Sequence, residues 1–313
     1  MSNLHRLLKP SPALRCAVIL TLCAGLAGPL GAQTASATPP AKTPAPLNDV
    51  MVAFFDHDFS ANLKSGASGK LNVSRVGLGG QYKHDWDDNH LVDSWAYIYN
   101  NNNFSGASVP VFGNVQQFGV NAYYSHDFSP QWGAFGYVSA GLSADTAISL
   151  SRGGQIAVAL GPTYQVNKDL SLALGPMYYT RMEDSNTWIP MADLKWSFMP
   201  QWDLHAYAGV TNGVTVSYDV FNNRATVVDA SIEYNSTWFH ARDTPAGARQ
   251  AVNQSDTTLK IGVRQALSEQ FFISGYVSGI FSREYQFHTN GHSANSFNVD
   301  STIGLGCSVG FVF

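Results

Sequence analysis

The sequence predicts an all-β fold, a transmembrane antiparallel β-barrel of about 14 strands with short periplasmic turns and longer extracellular loops. Apolar residues alternate with small or polar residues in segment after segment, as on strands with one face toward lipid. Short turns alternate with long loops along the chain. Charged residues make up only 13% of the 313 residues, against roughly 25% in soluble domains. Together these observations favour a membrane barrel over a soluble sandwich.

The first 37 residues predict a secretory signal peptide. Arg6, Lys9 and Arg15 form a basic head, an apolar run covers residues 16–30, and Ala35-Ser36-Ala37 supplies a small-residue cleavage motif, with Ala32 as the alternative position. The run is shorter than the roughly 20 residues that a membrane-spanning helix needs. Residues 38–47 are rich in Pro, Ala and Thr and are expected to be an extended lead-in. Residues 48–313 are assigned to the barrel.

Removal of the leader changes the charge and the cysteine content of the chain. Three of the 18 basic residues and none of the 22 acidic residues lie in the leader, so the formal charge changes from −4 to about −7. This balance argues against nucleic-acid binding. Cys307 is the remaining cysteine, so neither an intrachain disulfide nor a cysteine metal cluster is expected.

Two kinds of connection alternate after residue 48. The predicted short turns are residues 86–89, 129–131, 167–169, 200–201, 221–224 and 267–270. The predicted longer loops are residues 100–110, 143–153, 182–186, 240–256 and 288–296. Short turns at one end and long loops at the other are typical of outer-membrane barrels, with the short turns on the periplasmic side. Fourteen strands result, or twelve if Thr211-Asn212-Gly213 is a bend rather than a hairpin loop.

Charge decides which face of each strand points inward. A basic side chain at the bilayer midplane of a barrel costs about 2–4 kcal/mol, so Lys260 and Arg264 are expected to face the lumen. The same alternation predicts these lumen-lining residues: Arg75, Lys83, Asp193, Lys195, Asp229, Glu233, Lys260, Arg264 and Asp300. Residues 91–99 and 134–142 resist this assignment, because their aromatic side chains fall on the expected inner face.

Aromatic residues cluster near both strand ends and predict two interfacial girdles. The expected periplasmic girdle is formed by Trp86, Trp132, Trp202, Phe271 and Phe272. The expected extracellular girdle is formed by Tyr178, Tyr179, Trp188, Trp238, Tyr285 and Phe287.

The terminal segment resembles the C-terminal recognition signal of bacterial outer-membrane β-barrels. Its alternating apolar residues are Leu305, Cys307, Val309, Phe311 and Phe313. This resemblance implies recognition by the barrel-assembly machinery through the last strand, and residence in the outer membrane.

Short patches at residues 72–77, 161–162, 188–190, 211–213 and 282–285 resemble an outer-membrane barrel family of unknown function. That resemblance implies fold and location, and it supplies no catalytic residue.

The candidates for chemistry are few, and no cofactor, metal or catalytic residue is predicted. Asp56-His57-Asp58 is interpreted as a polar strand end, because His57 points away from both aspartates on a strand. His288 and His292 are interpreted as solvated loop residues. The Ser and His residues of a lipid-modifying enzyme could come from His240 with Asp243 or Ser293 with His292, but neither pair lies in a recognisable motif.

The sequence therefore favours a narrow pore for the passive passage of small solutes. The alternatives are a structural or adhesive barrel with a plugged lumen and, less favoured, an outer-membrane lipid hydrolase or acyltransferase. The expected partners are outer-membrane lipid, lipopolysaccharide and the assembly machinery, with no nucleic acid, and the barrel is expected to be a monomer. Asp229 and Glu233 opposite Lys260 and Arg264 could pair and narrow the lumen, since about fourteen strands lie between a filled barrel and an open channel.

Overall fold

The computed structural model describes residues 49–65, 67–108, 112–243, 247–289 and 292–313. The expected signal peptide and the expected lead-in both lie outside these residues. The strand segments are β1 (Val50–Lys64), β2 (Lys70–Trp86), β3 (Asn89–Ser105), β4 (Val115–Asp127), β5 (Trp132–Asp145), β6 (Gly154–Asn167), β7 (Leu170–Tyr179), β8 (Thr187–Met199), β9 (Trp202–Ala208), β10 (Asn212–Asp219), β11 (Thr226–His240), β12 (Gln250–Ala266), β13 (Phe271–Thr289), β14 (His292–Val299) and β15 (Thr302–Val312). One short 3₁₀ helix, Leu150–Arg152, lies between β5 and β6.

Sequential antiparallel pairing closes these segments into a barrel. Each segment from β1 to β13 pairs with the next along the chain. β14 and β15 both lie between β13 and β1, so they are two parts of a single strand. Val50 pairs with Val312, which closes the ring. The described barrel therefore has 14 strands, and the predicted fold class is confirmed.

The hairpin β9–β10 decides between the two predicted strand numbers. Its two strands pair from Gly213↔Tyr207 to Tyr218↔Trp202, so residues 209–211 connect two strands and do not bend one. The predicted periplasmic turns also form. Ser129 Oγ accepts the N–H of Trp132 at 3.0 Å, and Ser268 Oγ accepts the N–H of Phe271 at 3.1 Å. Such side-chain bonds stabilise a tight turn locally.

The outer surface carries the apolar band that the alternation predicts. On the last strand Ile303 and Val309 are exposed while Gly304 and Gly310 are buried. The two ambiguous strands resolve in opposite ways. Tyr97 of β3 is exposed on the outside, whereas Phe135 of β5 points inward and is only 3% exposed. Within the described residues, no helix is long and apolar enough to span a membrane.

The predicted aromatic girdles are correct only in part. Trp86, Trp132, Trp202 and Phe271 at the periplasmic end are exposed, as is Trp188 at the other end. The inward or covered aromatics are Phe272, Trp238, Tyr285 and Phe287, which are all buried. For β13 the reason is a bulge at Ser282, whose φ is +51°. An extra residue in one strand shifts the alternation beyond it, so Tyr285 and Phe287 point inward.

The barrel wall is uneven in height. β13 has 19 residues, while β9 and β10 have only 7 and 8. At the extracellular end His240 of β11 pairs in parallel with Ala144 of β5, although these strands are not neighbours in the barrel. The upper ends of β5 and β11 thus meet at the extracellular end, and β6–β10 lie between these two strands on one side of the barrel.

Candidate pore lumen

A network of buried ion pairs crosses the inner wall at mid-height. Asp56 and Asp58 share the inward face of β1, and Arg75 reaches both from β2, with N–O distances of 2.7 and 2.8 Å. Arg283 of β13 donates to Asp58 at 2.7 Å and to Asp256 of β12 at 3.4 Å. The bulge at Ser282 turns Arg283 inward. Each arginine therefore bridges two carboxylates.

A cavity of about 280 Å³ lies against this network. Lys260 and Glu233 face it from β12 and β11 and form an ion pair at 2.9 Å. The Lys260 ammonium also lies 5.9 Å from the ring centre of Tyr276. The Tyr276 phenol occupies the space beside Gly306, where a Cβ atom would overlap it. The glycine therefore makes room for an aromatic side chain inside the lumen.

The charges around the cavity nearly cancel. Its lining contains the carboxylates of Asp56, Asp58, Glu233 and Asp256, and the basic groups of Arg75, Lys260 and Arg283. Burying an unpaired charge is costly, but each of these groups has an opposite charge or a hydrogen bond beside it. The cavity is consequently polar without a strong excess of either sign.

A second cavity of about 480 Å³ lies at the periplasmic end of the lumen, next to β8–β12. Arg264, Asp203 and Asp219 line it together with Arg224 from the β10–β11 turn. Polar side chains thus line the lumen at mid-height and at the periplasmic mouth. The two cavities follow the inner faces of the same strands, β11 and β12.

The extracellular end of the lumen is closed by an aromatic cluster, here called the cap. At its centre Phe112, from the β3–β4 loop, is only 4% exposed. Its ring centre lies 4.8 Å from Phe239, 5.1 Å from Tyr285 and 5.2 Å from Phe104. Such edge and tilted contacts add to the hydrophobic gain of burying large rings. The cap lies on the extracellular side of the ion-pair network.

Polar contacts between loops hold the cap in place. Asp145, at the end of β5, accepts the N–H of Gly113 at 2.6 Å and forms an ion pair with Arg242 at 3.6 Å. Arg152 and Asp243 form a second ion pair at 3.0 Å between the β5–β6 and β11–β12 loops. The residue that follows Phe112 is therefore anchored to the point where β5 meets β11.

The structure distributes the sequence-predicted lumen residues over several places. Arg75, Glu233 and Lys260 line the central cavity, and Arg264 lines the periplasmic one. Asp229 lies on the same alternating face of β11 as Glu233.

The remaining predicted lumen residues have local partners. Asp193 of β8 contacts His205 at 2.7 Å and Lys195 at 3.6 Å. Lys83 pairs with Asp85 at 2.8 Å, close to the periplasmic end of β2.

Asp300 differs from its predicted position. It lies between β14 and β15, where it forms an ion pair with Lys64 and accepts a hydrogen bond from Asn62 at 3.3 Å. Leu63 between these two residues points into the cap, so Asn62 and Lys64 face outward. The interruption of the last strand and the register shift in β1 between Asp58 and Ala61 disturb the alternation used for the prediction.

The interpretation of Asp56-His57-Asp58 needs a correction. His57 does point away from both aspartates and contacts Ser74 at 2.8 Å, as expected. The motif is not a strand end, however, because β1 continues to Lys64. The two aspartates are buried partners of Arg75. Two carboxylates on the same face of one strand could have indicated a buried ion-pair site. Their basic partners lie on other strands, however, and the sequence does not reveal how those strands are aligned with β1.

The residues considered for metal binding and catalysis have other contacts. His288 is buried and packs against Trp238 in a tilted arrangement with ring centres 4.6 Å apart, so it is not the solvated loop residue that was expected. His240 Nδ1 contacts the carbonyl oxygen of Ala241 at 2.6 Å, while Asp243 binds Arg152. Among the described residues, no group of three or more His, Cys, Asp or Glu side chains is arranged to hold a metal ion.

Comparisons with known proteins bear on the fold. No protein-family model and no curated protein sequence matches the chain. Among solved structures, the chain is similar to the COG4313 outer membrane channel from Pseudomonas putida F1, with 11% identity, a TM-score of 0.48 and coverage of 88% of this chain and 100% of that one.

Two further structures are more distant. The NanC porin has 10% identity, a TM-score of 0.39 and coverage of 84% and 100%, and the Pseudomonas putida toluene transporter TodX has 10% identity, a TM-score of 0.38 and coverage of 86% and 90%. These similarities concern the barrel architecture. The closed barrel with its apolar outer face is a protein of an outer membrane.

Proposed function

We propose that the barrel is a narrow outer-membrane pore for the passive passage of small solutes. The observation that supports this function is the polar cavity of about 280 Å³ at mid-height, lined by side chains from opposite parts of the wall. A barrel that served only as a scaffold would gain stability from filling this space with packed side chains. Mixed charges around an unfilled space are typical of a selective lumen.

The described conformation is the closed state of this pore. Phe112 and its aromatic neighbours fill the extracellular end, so a solute cannot pass straight through until Phe112 moves. Because Phe112 lies outside the strands, while Phe104, Phe239 and Tyr285 belong to them, Phe112 can move without breaking the strand pairing.

Single-channel conductance of the refolded chain in a planar bilayer tests the pore. We expect rare openings of the wild-type protein and a larger open fraction for Phe112→Ala, since the alanine no longer fills the cap. Lys260→Gln should shift ion selectivity toward cations, because Glu233 loses its partner at the central cavity. Lys64→Gln is the matched control, as Lys64 lies outside the lumen beside Asp300, and it should leave selectivity unchanged.

The opposite result would identify a plugged barrel that acts through its loops. A folded protein with no conductance in either the wild type or Phe112→Ala would overturn the pore. Equal selectivity shifts for Lys260→Gln and Lys64→Gln would show that the current does not pass the central cavity.

We also propose that the barrel-assembly machinery recognises the last strand. Support comes from Leu305, Val309 and Phe311, which alternate with glycines and lie on the outward face of β15. Replacing Phe313 with Asp should lower the amount of heat-modifiable barrel in cells but leave refolding of the purified chain in detergent intact. Equal folding of both proteins in cells would refute this role.

A further inference from the structure

The barrel wall is lowest at the hairpin β9–β10. A strand crossing the bilayer core needs about 9–11 residues, but β9 and β10 have 7 and 8. Trp188 on the neighbouring β8 is 68% exposed and packs against Tyr178 on the outer surface. Ala208, the last residue of β9, pairs with Ala192 of β8. Trp188 is thus four residues further toward the extracellular end, or about 13 Å along the strand.

This offset places the end of the hairpin inside the apolar band, below the extracellular interface. Above the hairpin the free edges of β8 and β11 face each other, because β10 pairs with β11 only up to Tyr234. The β7–β8 loop crosses the gap above. Met182 of that loop packs against Trp238 of β11, and Glu183 lies 4.0 Å from Arg249. The hairpin, two strand edges and a loop therefore frame a window in the wall.

A groove of about 640 Å³ lies on the outside of the wall at the same hairpin. Its lining surface is almost entirely apolar. The small side chains of Ala192, Ala206 and Ala208 leave a depression between the larger Leu174 and Ile232. Because this part of the wall lies within the membrane, the groove is in contact with the acyl chains of the outer leaflet and not with water.

Next to the hairpin loop, the inner side of the same wall is apolar as well. Val210, in the loop of the hairpin, packs against a cluster centred on Met177, with Ile189 and Met191 beside it. The buried ion pairs of Arg75 and Arg283 lie on the opposite side of the lumen, while the Asp193–His205 pair lies on the inner face of β8 and β9, on the periplasmic side of this apolar cluster. Apolar surface therefore continues from the lumen to the outer groove, interrupted at the hairpin loop by Val210 and the flexible Met177.

We propose that small apolar solutes move between the lumen and the outer leaflet sideways over the β9–β10 hairpin, with Val210 and Met177 as the movable barrier. This inference rests on the proposed pore and specifies its substrate class and its extracellular-side route. Apolar lining favours apolar solutes since it offers no hydrogen bonds to replace those of water. The route also bypasses the cap, which closes the straight path.

Uptake of the apolar dye N-phenylnaphthylamine by cells that carry the full-length protein tests the route. We expect the wild-type protein to raise dye uptake above that of cells without it. Ala208→Trp fills the outer groove and should return uptake to that background. The matched control is Ala140→Trp on β5, another outward-facing alanine far from the hairpin, which should behave like the wild type. Met177→Ala should raise uptake by removing part of the barrier.

Conductance and a heat-modifiability gel for each variant separate the two proposals. Ala208→Trp should conduct like the wild type and migrate as a folded barrel. Conductance without any effect of Ala208→Trp on dye uptake would overturn the lateral route alone, as would equal losses for Ala140→Trp. A lipid that copurifies with the wild type but not with Ala208→Trp, with unchanged dye uptake, would show a lipid site and refute the route. Absence of conductance in both the wild type and Phe112→Ala, together with no dye uptake through the wild type, would overturn both proposals.

Discussion

Replacing Arg283 with Met tests whether the buried ion pairs carry the stability of the lumen wall. The Arg283 side chain is 3% exposed, and its partners Asp58 and Asp256 are 4% and 7% exposed. Methionine keeps much of the length of arginine but removes the charge. Asp58 and Asp256 would then remain buried with fewer opposite charges.

The expected magnitude follows from what each carboxylate retains. Removing one partner of a buried ion pair costs about 3–5 kcal/mol. Asp58 keeps Arg75 at 2.8 Å, and Asp256 keeps hydrogen bonds from Thr258 and Gln254 at 3.1 Å each. The loss should therefore lie near the lower end, at about 3 kcal/mol of unfolding free energy.

Urea unfolding in lipid vesicles, followed by tryptophan fluorescence and by the heat-modifiable gel shift, measures this loss. Lys168→Met is the control, because its pair with Asp169 is 4.0 Å long and the lysine side chain is 89% exposed, so no measurable loss is expected. The double variant Asp58→Asn with Arg283→Met should be more stable than the sum of the single variants predicts. A loss below about 1 kcal/mol for Arg283→Met would refute the reasoning and indicate a well-hydrated network.

Three further substitutions test the cap, the glycine contacts and the bulge. Phe112→Ala should lower the unfolding free energy by about 3–5 kcal/mol; an unchanged urea midpoint would mean that the cap does not pack as described. Gly306→Ala should lower the unfolding free energy by about 1–3 kcal/mol, because the added methyl group meets the Tyr276 ring. The control Gly136→Ala should be close to neutral, since the space around Gly136 is open. Equal urea midpoints for the two variants would contradict the contact between Gly306 and Tyr276. Ser282→Gly should raise the unfolding free energy by about 1 kcal/mol, since the φ of +51° at this position suits glycine. A loss of stability would show that the bulge does not lie at Ser282.

The alternation of side chains was enough to predict the barrel because it is a local property. On the last strand, Ile303 to Val309 and the glycines between them separate into two faces without reference to any other strand. Turn residues such as Ser129 act within three positions, so the periplasmic turns could be predicted as well. Features that depend on one strand and its own turn are therefore accessible from the sequence.

The ion-pair network and the cap depend on relations between distant strands. Asp58 and Arg283 are 225 positions apart and meet only because the ring closes through β15. A single bulge at Ser282 reverses which residues of β13 face inward, and no glycine marks it in the sequence. The alternation therefore assigned Tyr285 to a girdle, while the structure places it in the cap.

The cap and the low wall have a common cause in the unequal strand lengths. Strand β11 extends past the end of β10, so the edge of its upper part that faces β10 has no neighbouring strand. Phe239 on its inner face becomes buried where β11 meets β5 and the β3–β4 loop across the mouth, and this contact forms part of the cap around Phe112. The same closure leaves β6–β8 outside it, with Met177 facing the gap above the hairpin. Lengthening β9 and β10 to the height of their neighbours should therefore affect both the cap and the low wall. The longer β10 would pair with the free edge of β11, so that β11 would no longer be drawn toward β5.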